Sequence, residues 1–319
     1  MRRTALTRLL LAAALALAAC GGGGGGDGDG ARATPAATKA AQALRVQSQD
    51  RLSARLTDFY LATPALDQPA HVQVLLPRGY DPEGRRRYPV LYLLHGCCGA
   101  YDAWTQLGEA EAITRRYPLI VVMPEGGSNG WYTDWYAPDG ATTRPLWETF
   151  HVEQLIPWVD ARFKTVAERG GRAVAGLSMG GYGARTYAAR HPGLFVAAAS
   201  YSGAVEEASE EALGPRSENP ERWREHLPID QAAHLKGLEL LELRTGDGRP
   251  GPYERSRDLA DCGGCQLEGY LYPSNVRLHE RLDRLGIRHV WVHGRGSHDW
   301  PYWRRDLRRT LPALMRVLD

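Results

Sequence analysis

Residues 172–190 read RAVAGLSMGGYGARTYAAR, and this stretch decides the fold. Its opening residues are mostly apolar and suit a buried strand, and its closing residues have the pattern of a helix. Between the two, Gly176 and Gly180 stand two positions before and two after Ser178. A sharp strand-to-helix corner needs glycine at both positions, because side chains there would hold the strand and the helix apart. The stretch therefore predicts a corner that presents the Ser178 hydroxyl at a helix N-terminus, where the helix dipole favours negative charge.

Short apolar runs alternate with helical patterns along the rest of the chain. Several runs are apolar at every position, which is typical of strands in a parallel sheet covered on both faces. The alternation predicts an α/β protein with a mostly parallel central sheet and helices on both faces. Together with the Gly-x-Ser-x-Gly corner it indicates the α/β-hydrolase fold. The predicted strands are 71–76, 90–94, 119–123, 173–176, 195–199, 238–243 and 289–292.

The Ser178 hydroxyl needs a base, because an alcohol is a poor nucleophile near neutral pH. In this fold the base comes last in chain order, beyond the final strand. His298 lies in the glycine-rich loop after the predicted strand 289–292, whereas His293 adjoins the end of that strand, where a structural histidine is expected. We predict that Ser178 is the nucleophile and His298 the general base of a serine hydrolase.

A third, acidic residue should hold the imidazole in the correct tautomer and stabilise its charged form. Asp247 closely follows the predicted strand 238–243, where the fold often places this acid. Glu268 comes later, before a helix predicted over 275–285. Asp299, next to the base, is expected to point elsewhere. Strand order alone favours Asp247 slightly, and Glu268 is the other candidate.

The first part of the chain, residues 1–19, predicts a signal peptide. Arg2 and Arg3 precede an apolar run over 9–19, which is shorter than the roughly 20 residues that a helix needs to span a bilayer. The run closes on Leu-Ala-Ala-Cys20, which resembles the bacterial lipobox, where cleavage precedes a cysteine whose thiol is lipidated. We therefore expect Cys20 to carry a lipid anchor that holds the exported protein on a membrane of the bacterial cell envelope.

Composition divides the remainder into a linker and one domain. Residues 20–44 are rich in Gly and Ala and predict a flexible tether. Residues 45–319 show no second linker and no internal repeat, so we expect a single α/β-hydrolase domain. The chain has 39 basic and 37 acidic residues, a balance that gives no electrostatic footprint for nucleic acid. The partner expected instead is an ester substrate outside the cytoplasm.

Four cysteines remain besides Cys20. Export to an oxidising compartment favours disulfides over free thiols, so we expect Cys97, Cys98, Cys262 and Cys265 to be paired, with the pairing left open. The Cys-x-x-Cys spacing of the last two also fits zinc or thioredoxin-like redox chemistry. Adjacent cysteines, however, make a poor second half of a four-ligand zinc site. We expect no metal and no organic cofactor.

From about Tyr88 to the C-terminus the chain resembles the esterase family of α/β-hydrolases that contains the antigen 85 mycolyltransferases and the esterase D group. The segments over 131–136 and 297–303 resemble the antigen 85 branch in particular. The segments that carry the resemblance are 92–96 (YLLHG), 122–124 (VMP), 131–136 (WYTDWY), 176–181 (GLSMGG) and 297–303 (SHDWPYW).

The resemblance implies site residues beyond the nucleophile and the base. The family places its acid before a helix and about thirty residues ahead of the base, which favours Glu268 over Asp247. It also supplies two backbone N–H donors for the oxyanion, which match Met179, after the nucleophile, and Cys97, after the strand that ends in glycine. A disulfide at Cys97 or at its neighbour would stiffen this loop.

One departure concerns substrate binding. Mycolyltransferases of this family carry an Asp before that glycine and an Arg two residues after it, and both contact trehalose. Here the two positions hold His95 and Cys98, so the resemblance does not extend to trehalose. Trp300 matches a tryptophan that lines the family's substrate site. We expect Trp300 and His95 to contact substrate, with plain core packing as the alternative for Trp300.

Together these expectations describe an exported serine carboxylic-ester hydrolase that acts through an acyl-enzyme intermediate. The antigen 85 resemblance also fits an acyltransferase that passes the acyl group to a sugar or lipid. A third possibility is a non-catalytic binding protein on a hydrolase scaffold. The segment 204–234, acidic and then proline-rich, is expected to form a cap helix or lid over the pocket.

Overall fold

The computed structural model of the protein describes residues 43–137, 144–256 and 258–318. These residues belong to one compact unit. The predicted signal peptide, Cys20 and the tether as far as residue 42 lie outside the described residues and stay predictions. Within the described ranges, no helix is both long enough and apolar enough to cross a membrane.

The strands of the described chain are β1 (Arg45–Arg51), β2 (Leu56–Ala62), β3 (Ala70–Leu75), β4 (Val90–Leu94), β5 (Ile120–Pro124), β6 (Arg172–Leu177), β7 (Ala197–Tyr201), β8 (Leu240–Gly246) and β9 (Val290–Gly294). They form one sheet in the order β1-β2-β3-β5-β4-β6-β7-β8-β9. Strands β4 to β9 are parallel to one another, whereas β1, β2 and β3 are joined to this sheet by antiparallel pairing at one edge.

The α-helices are α1 (Ala103–Gln106), α2 (Ala110–Thr114), α3 (Ile156–Arg162), α4 (Met179–Arg190), α5 (Glu210–Leu213), α6 (Pro220–His226), α7 (Cys265–Arg284) and α8 (Trp300–Val317). A π-helical turn over Thr149–Leu155 leads into α3. Short 3-10 turns occupy Arg169–Gly171, Ala232–Leu235 and Leu259–Asp261.

The sheet is covered on both faces, and this explains why its strands are apolar at every position. In β6, Val174 packs into the core layer that contains α4, whereas Ala173 and Ala175 pack into the opposite layer, which contains α8. A strand between two apolar layers gains burial from each side chain in turn. The predicted α/β-hydrolase fold is confirmed, and β6 leads into α4 through the Gly-x-Ser-x-Gly corner.

Three local features differ from the sequence-based expectation. The seven predicted strands are present with shifted ends, but β1 and β2 are additional, and β1 is exposed along its whole length, so it carries no apolar pattern. Helix α7 begins at Cys265, ten residues before the start predicted at Asn275. The prediction placed the start too late because Gly269 and Pro273, residue types that usually interrupt helices, lie in the first half of this helix. Glu268 therefore lies in the first turn of a helix and not before one.

The segment 204–234 forms α5, α6 and a 3-10 turn, so the helical part of its prediction agrees with the structure. Leu213, Trp223 and Leu227 from this segment pack with Tyr182 of α4 and Leu271 of α7 in a small apolar cluster of their own. The segment therefore sits on the two helices that begin at the predicted nucleophile and carry the predicted acid. Its role as a lid stays a prediction.

His151, in the π-helical turn, should make stability depend on pH. Its Nε2–H donates to the Glu125 carbonyl at 2.7 Å, and the Tyr187 hydroxyl donates to its Nδ1 at 2.8 Å. Burial lowers the pKa of His151 from 6.5 to about 4. As the pH falls from 6.5 towards 4, the imidazole of His151 takes up a proton in the unfolded chain but not in the folded chain. Stability from neutral His151 is therefore present above pH 6.5 and is lost towards pH 4.

We expect this site alone to lower the free energy of unfolding by up to about 3 kcal/mol between pH 7 and pH 4. In His151→Gln, whose amide can both donate and accept, that component of the pH dependence should disappear. Exposed His234 provides the matched control, and His234→Gln should retain it. Urea unfolding across this pH range measures the effect, and an unchanged slope in His151→Gln would contradict the assignment.

Candidate active site

Ser178 occupies the strained corner that the sequence predicts. Its backbone angles are φ 53° and ψ −119°, and it is the N-cap of α4. A side chain at Gly176 would lie 2.3 Å from the Gly180 carbonyl oxygen, and one at Gly180 would lie 2.4 Å from the Leu94 carbonyl oxygen. Both glycines are therefore required for β4, β6 and α4 to meet. A positive φ at a residue other than glycine costs on the order of 1–3 kcal/mol and is typical of functional sites.

The loop after β4 lies directly against this corner. A side chain at Gly96 would come within 3.1 Å of the Ser178 Cβ, so the backbone entering Cys97 passes beside the serine. The Cys98 N–H donates to the Ser128 carbonyl at 2.7 Å, which holds the loop in place. Met179, the first residue of α4, lies on the other side of Ser178 in sequence. The predicted oxyanion residues Cys97 and Met179 therefore both border the corner.

His298 and Glu268 form a close, buried pair. His298 Nδ1 lies 2.7 Å from Glu268 Oε2, and the side chains are 7% and 0% exposed respectively. Because a carboxylate only accepts hydrogen bonds, Nδ1 is the donor of this pair, and in the neutral ring Nε2 is the nitrogen that has the lone pair. The other carboxylate oxygen accepts from Ser202 Oγ at 2.8 Å, Thr245 Oγ1 at 2.9 Å and the Gly246 N–H at 2.5 Å. The structure thus places Glu268 where the resemblance implies the acid to be.

The alternative acid and base lie elsewhere. Both carboxylate oxygens of Asp247 accept from Arg249, at 3.0 Å from the backbone N–H and 2.8 Å from Nε. Burial acts to raise the pKa of Asp247, but these hydrogen bonds outweigh it and the pKa is lowered. The preference for Asp247 from strand order is corrected here, because its carboxylate is turned towards Arg249. His293 is exposed and contacts Tyr272 and Trp291 at the end of β9.

Trp303 and two hydroxyl residues support the pair, and sequence reasoning missed all three. The Trp303 ring stands edge-on to His298, with centroids 5.0 Å apart, and its Nε1–H donates to Ser202 Oγ at 3.2 Å. Ser202 in turn donates to Glu268, as does Thr245. A signal was present: both hydroxyl residues lie at the C-terminal ends of apolar strands, where site residues gather in this fold.

The loop after β7 connects the serine corner to the acid. The Tyr201 carbonyl accepts from the Ser178 N–H at 2.9 Å, and the Ala204 N–H donates to the Ser178 carbonyl at 3.3 Å. Between these two residues lies Ser202, which binds Glu268. The corner and the His298–Glu268 pair therefore share one loop at the C-terminal edge of the parallel sheet.

Gly264 holds the acid and the base through a single carbonyl. Its oxygen accepts from the His298 N–H at 3.0 Å and from the Glu268 N–H at 3.1 Å. A side chain at Gly264 would lie only 2.8–3.0 Å from the His298 backbone. A disulfide between Cys262 and Cys265 closes the turn that contains this glycine. The Cys-x-x-Cys pair is thus a structural disulfide and not the half of a zinc site.

The other two cysteines do not follow the expectation of disulfides. Cys97 and Cys98 remain exposed thiols, with their sulfur atoms 2.9 Å apart. Burial first, and then the hydrogen bond and charge of Cys98, together raise the pKa of the Cys97 thiol to about 11. The disulfide of the described residues joins Cys262 to Cys265 instead.

His95 is not positioned to contact a substrate, and that expectation is wrong. Its side chain is only 2% exposed. Its Nδ1–H donates to the Gly96 carbonyl at 2.8 Å, and its Nε2 accepts from the Gly126 N–H at 2.9 Å. Both ring nitrogens are therefore occupied, and the ring supports the loop after β4 from behind.

Trp300 is half-buried at the start of α8. Its ring makes edge-on contacts with Trp104 and Trp303, at centroid distances of 5.3 and 5.2 Å. Asp299 caps the helix by accepting from the Trp300 N–H at 2.7 Å, so its carboxylate serves α8 and not the base. Part of Trp300 therefore packs on the core beside Trp303, and the remaining part is accessible.

A cavity of about 540 Å³ adjoins His298 and has a polar lining. Glu254 forms part of this lining and accepts from Ser297 Oγ at 2.5 Å and from the Tyr302 hydroxyl at 2.6 Å. Burial acts to raise the pKa of Glu254, but these hydrogen bonds outweigh it and lower the pKa. Glu254 belongs to the insert, the segment between β8 and α7. Its carboxylate thereby links the insert to the loop that carries the base. The other polar side chains of the lining are Arg255, Ser256, Asp261 and Asp299.

One group of possible metal ligands occurs among the described residues, at the far end of α7. His279, Asp283 and His289 come together there, with His279 Nδ1 and His289 Nε2 2.7 Å apart. Glu268 lies in the first turn of α7 and Asp283 near its last, so the two are roughly 22 Å apart along the helix. These residues are therefore separate from the His298–Glu268 pair.

The fold and the site define an α/β-hydrolase whose serine corner and histidine–carboxylate pair are joined by the loop after β7. The family described as "Putative esterase" matches residues 63–314. The chain belongs to this family, and the resemblance proposed from the motifs is confirmed.

The relatives include both an esterase and an acyltransferase. An esterase of Mycobacterium tuberculosis is 45% identical over 163 residues, which cover 50% of this chain and 35% of that protein, so the chain spans about a third of that relative. The diacylglycerol acyltransferase/mycolyltransferase Ag85B of Mycobacterium leprae is 30% identical over 258 residues, covering 72% of this chain and 76% of that protein. The crystal structure of Mycobacterium tuberculosis MPT51 shares the fold, with a TM-score of 0.67 at 20% identity over 84% of this chain and 100% of that one.

The shared carbonyl of Gly264 leads to a prediction. Gly264→Ala should push the His298 backbone away and lower kcat for a p-nitrophenyl ester by about 10- to 100-fold, because displacements near 1 Å misalign reacting groups. KM should change little. Gly263→Ala is the matched control, since a side chain at Gly263 meets nothing within 4 Å. Equal activity of the two variants, both with the wild-type thermal midpoint, would contradict this role of Gly264.

Proposed function

We propose that the chain is an exported serine carboxylic-ester hydrolase that works through an acyl-enzyme intermediate. The observation that carries the proposal is the buried His298–Glu268 pair, which shares the loop after β7 with the strained corner at Ser178. A nucleophilic serine, a base and an acid that orients the base are the parts that this chemistry requires.

The reaction begins when Ser178 Oγ attacks the ester carbonyl and passes its proton to His298 Nε2. The N–H groups of Cys97 and Met179 donate to the oxyanion that forms, an interaction that is worth about 3–4 kcal/mol per donor in well-studied cases. The tetrahedral intermediate then collapses: the carbon–oxygen bond to the alcohol breaks, and His298 gives its proton to the departing alcohol. The acyl group remains on Ser178.

Water completes the cycle by the same steps. His298 takes a proton from water as it attacks the acyl carbonyl, and it returns this proton to Ser178 Oγ when the carboxylic acid leaves. Glu268 stabilises the imidazolium that exists between the two transfers. Its other oxygen is already occupied by three donors, so the carboxylate cannot rotate away from His298.

In this proposal the alcohol portion of the ester extends past His298 into the polar cavity. A polar alcohol would suit that cavity, because buried polar groups must find hydrogen-bond partners. The accessible part of Trp300 would contact the substrate at the mouth of the site. An envelope lipid, an acylated polysaccharide and a small ester outside the cytoplasm all fit this description. No step of the proposed reaction calls for a metal or an organic cofactor.

Acyl transfer is the second candidate, and the 30% identity with Ag85B supports it. In this case a sugar or lipid hydroxyl takes the place of water in the second half of the reaction. An acylated product formed from an added alcohol at low water activity would distinguish transfer from hydrolysis. A purely binding role is disfavoured, because it would leave the nucleophile, base and acid without a purpose.

The proposed cellular site rests on the sequence before the described residues. Residues 1–19 would be removed as a signal peptide, Cys20 would be lipidated, and 20–44 would form the tether of the hydrolase domain 45–319. Each buried acyl methylene contributes about 0.8 kcal/mol of membrane affinity, so two or more chains would hold the protein stably.

The triad proposal predicts unequal effects of two acid variants. Ser178→Ala should lower kcat for p-nitrophenyl esters by at least about 10³-fold, and Glu268→Gln by about 10²- to 10⁴-fold, because a neutral amide no longer holds the correct tautomer. Asp247→Asn should remain near the wild-type rate, since Asp247 binds Arg249. A fluorophosphonate should label Ser178 in the wild type and in Asp247→Asn, and it should not label Ser178→Ala. Loss of activity in Asp247→Asn but not in Glu268→Gln, with both folded, would overturn the assignment.

The anchor proposal predicts a change of cellular fraction. Cys20→Ala should move the protein from the membrane fraction to the soluble fraction or leave an unprocessed precursor, because the lipidated thiol is missing. Cys97→Ser is the control, since it removes a cysteine without touching the lipobox, and it should stay on the membrane. Fractionation with immunodetection measures this. Membrane association of Cys20→Ala equal to the wild type would contradict lipidation.

A further inference from the structure

The two thiols in the loop after β4 have no task in the proposed reaction. Cys97 and Cys98 are both exposed, and their sulfur atoms are 2.9 Å apart, against about 2.0 Å for a disulfide bond. The Cys97 contribution to catalysis is its backbone N–H, which the thiol does not affect. The sulfur pair therefore needs a separate explanation.

The backbone of the loop holds Cys97 and Cys98 in a fixed conformation. Cys98 has φ 62°, which is unfavourable for a residue with a side chain. The Cys98 N–H donates to the Ser128 carbonyl at 2.7 Å, and the Gly99 N–H donates to the Gly96 carbonyl at 3.3 Å. These contacts fix the peptide between the cysteines, and the sulfur atoms lie within hydrogen-bond distance of each other without a covalent bond between them.

We propose that Cys97 and Cys98 are a thiol-modification site that reacts with disulfide compounds and closes into a disulfide between neighbouring residues. The ring would contain the Cys97–Cys98 peptide bond. Ring formation depends only on the two thiols, whereas its effect on catalysis also rests on the proposed function. The disulfide at Cys262 and Cys265 is already closed and takes no part.

Thiol–disulfide exchange accounts for all atoms and electrons. The Cys98 thiolate attacks one sulfur of a small disulfide, R–S–S–R, and the first R–S⁻ leaves and takes up a proton. The Cys97 thiol then loses its proton to solvent and attacks Cys98 Sγ, and the second R–S⁻ leaves. The two thiols are oxidised, and the disulfide is reduced to two R–SH. Burial, together with the hydrogen bond and charge of Cys98, raises the pKa of the Cys97 thiol to about 11, so Cys97 is the poorer first nucleophile and Cys98 attacks first.

Ring closure and alkylation should have opposite consequences for catalysis. The ring adds no atoms to the loop, and the Cys97 N–H lies outside it, so the oxyanion donor is retained. An alkyl group on either sulfur adds volume beside that N–H and next to Gly96, where a side chain would already lie 3.1 Å from the Ser178 Cβ. The ring would thus protect the oxyanion loop from bulky thiol modification.

The test uses the full-length protein, reduced and then treated with oxidised glutathione. Remaining thiols are blocked with N-ethylmaleimide, and tryptic peptides are weighed. Peptide 88–115 contains both neighbouring cysteines, and peptide 258–277 contains the other pair as a separate reference. We expect peptide 88–115 to lose the mass of two hydrogen atoms and to carry no adduct. Cys97→Ser should instead keep one glutathione on Cys98.

Wild-type peptide 88–115 that carries glutathione, or that is still alkylated on both cysteines while peptide 258–277 is oxidised, would overturn the proposal. Ester hydrolysis provides the second measurement. The ring form should hydrolyse ester at about the rate of the dithiol form, and the doubly alkylated form should lose at least about 10-fold. If the chain hydrolysed no ester at all, the masses would still decide whether the ring forms.

Discussion

The Glu268 carboxylate is the point on which the rest of the site depends. It is fully buried, and four donors converge on it: Ser202 after β7, Thr245 and Gly246 at the end of β8, and the His298 ring. A buried carboxylate is tolerated only when its oxygens are hydrogen-bonded. The C-terminal ends of β7 and β8 and the histidine–acid pair are therefore held together by the same carboxylate.

The Ser178 corner is the second constraint, and it is held by different contacts. Its strained backbone is fixed by hydrogen bonds to Tyr201, the last residue of β7, and to Ala204 in the loop that follows. Ser202, in the same loop, donates to Glu268. One short loop thus contacts both the strained backbone at Ser178 and the buried carboxylate of Glu268. It thereby holds residues from distant parts of the chain in one arrangement.

The sequence predicts best what is local. The Ser178 corner and the position of His298 follow from spacing within a few residues, and the continuously apolar strands follow from burial on both faces. Glu268 does not follow from spacing, because an insert without periodicity separates it from β8, and only the family resemblance favours it. The expectation that His95 contacts substrate is wrong. A polar residue at the end of a strand is typical of a substrate site, but the His95 ring turns inward and hydrogen-bonds to Gly96 and Gly126.

The carbonyl of Gly264 receives the N–H groups of both His298 and Glu268. The backbones of the base and the acid consequently rest on one oxygen atom, and a displacement of this turn would move both residues together. The hydrogen bond between the ring and the carboxylate would then survive the displacement, and so would the choice of the ring nitrogen that carries the proton.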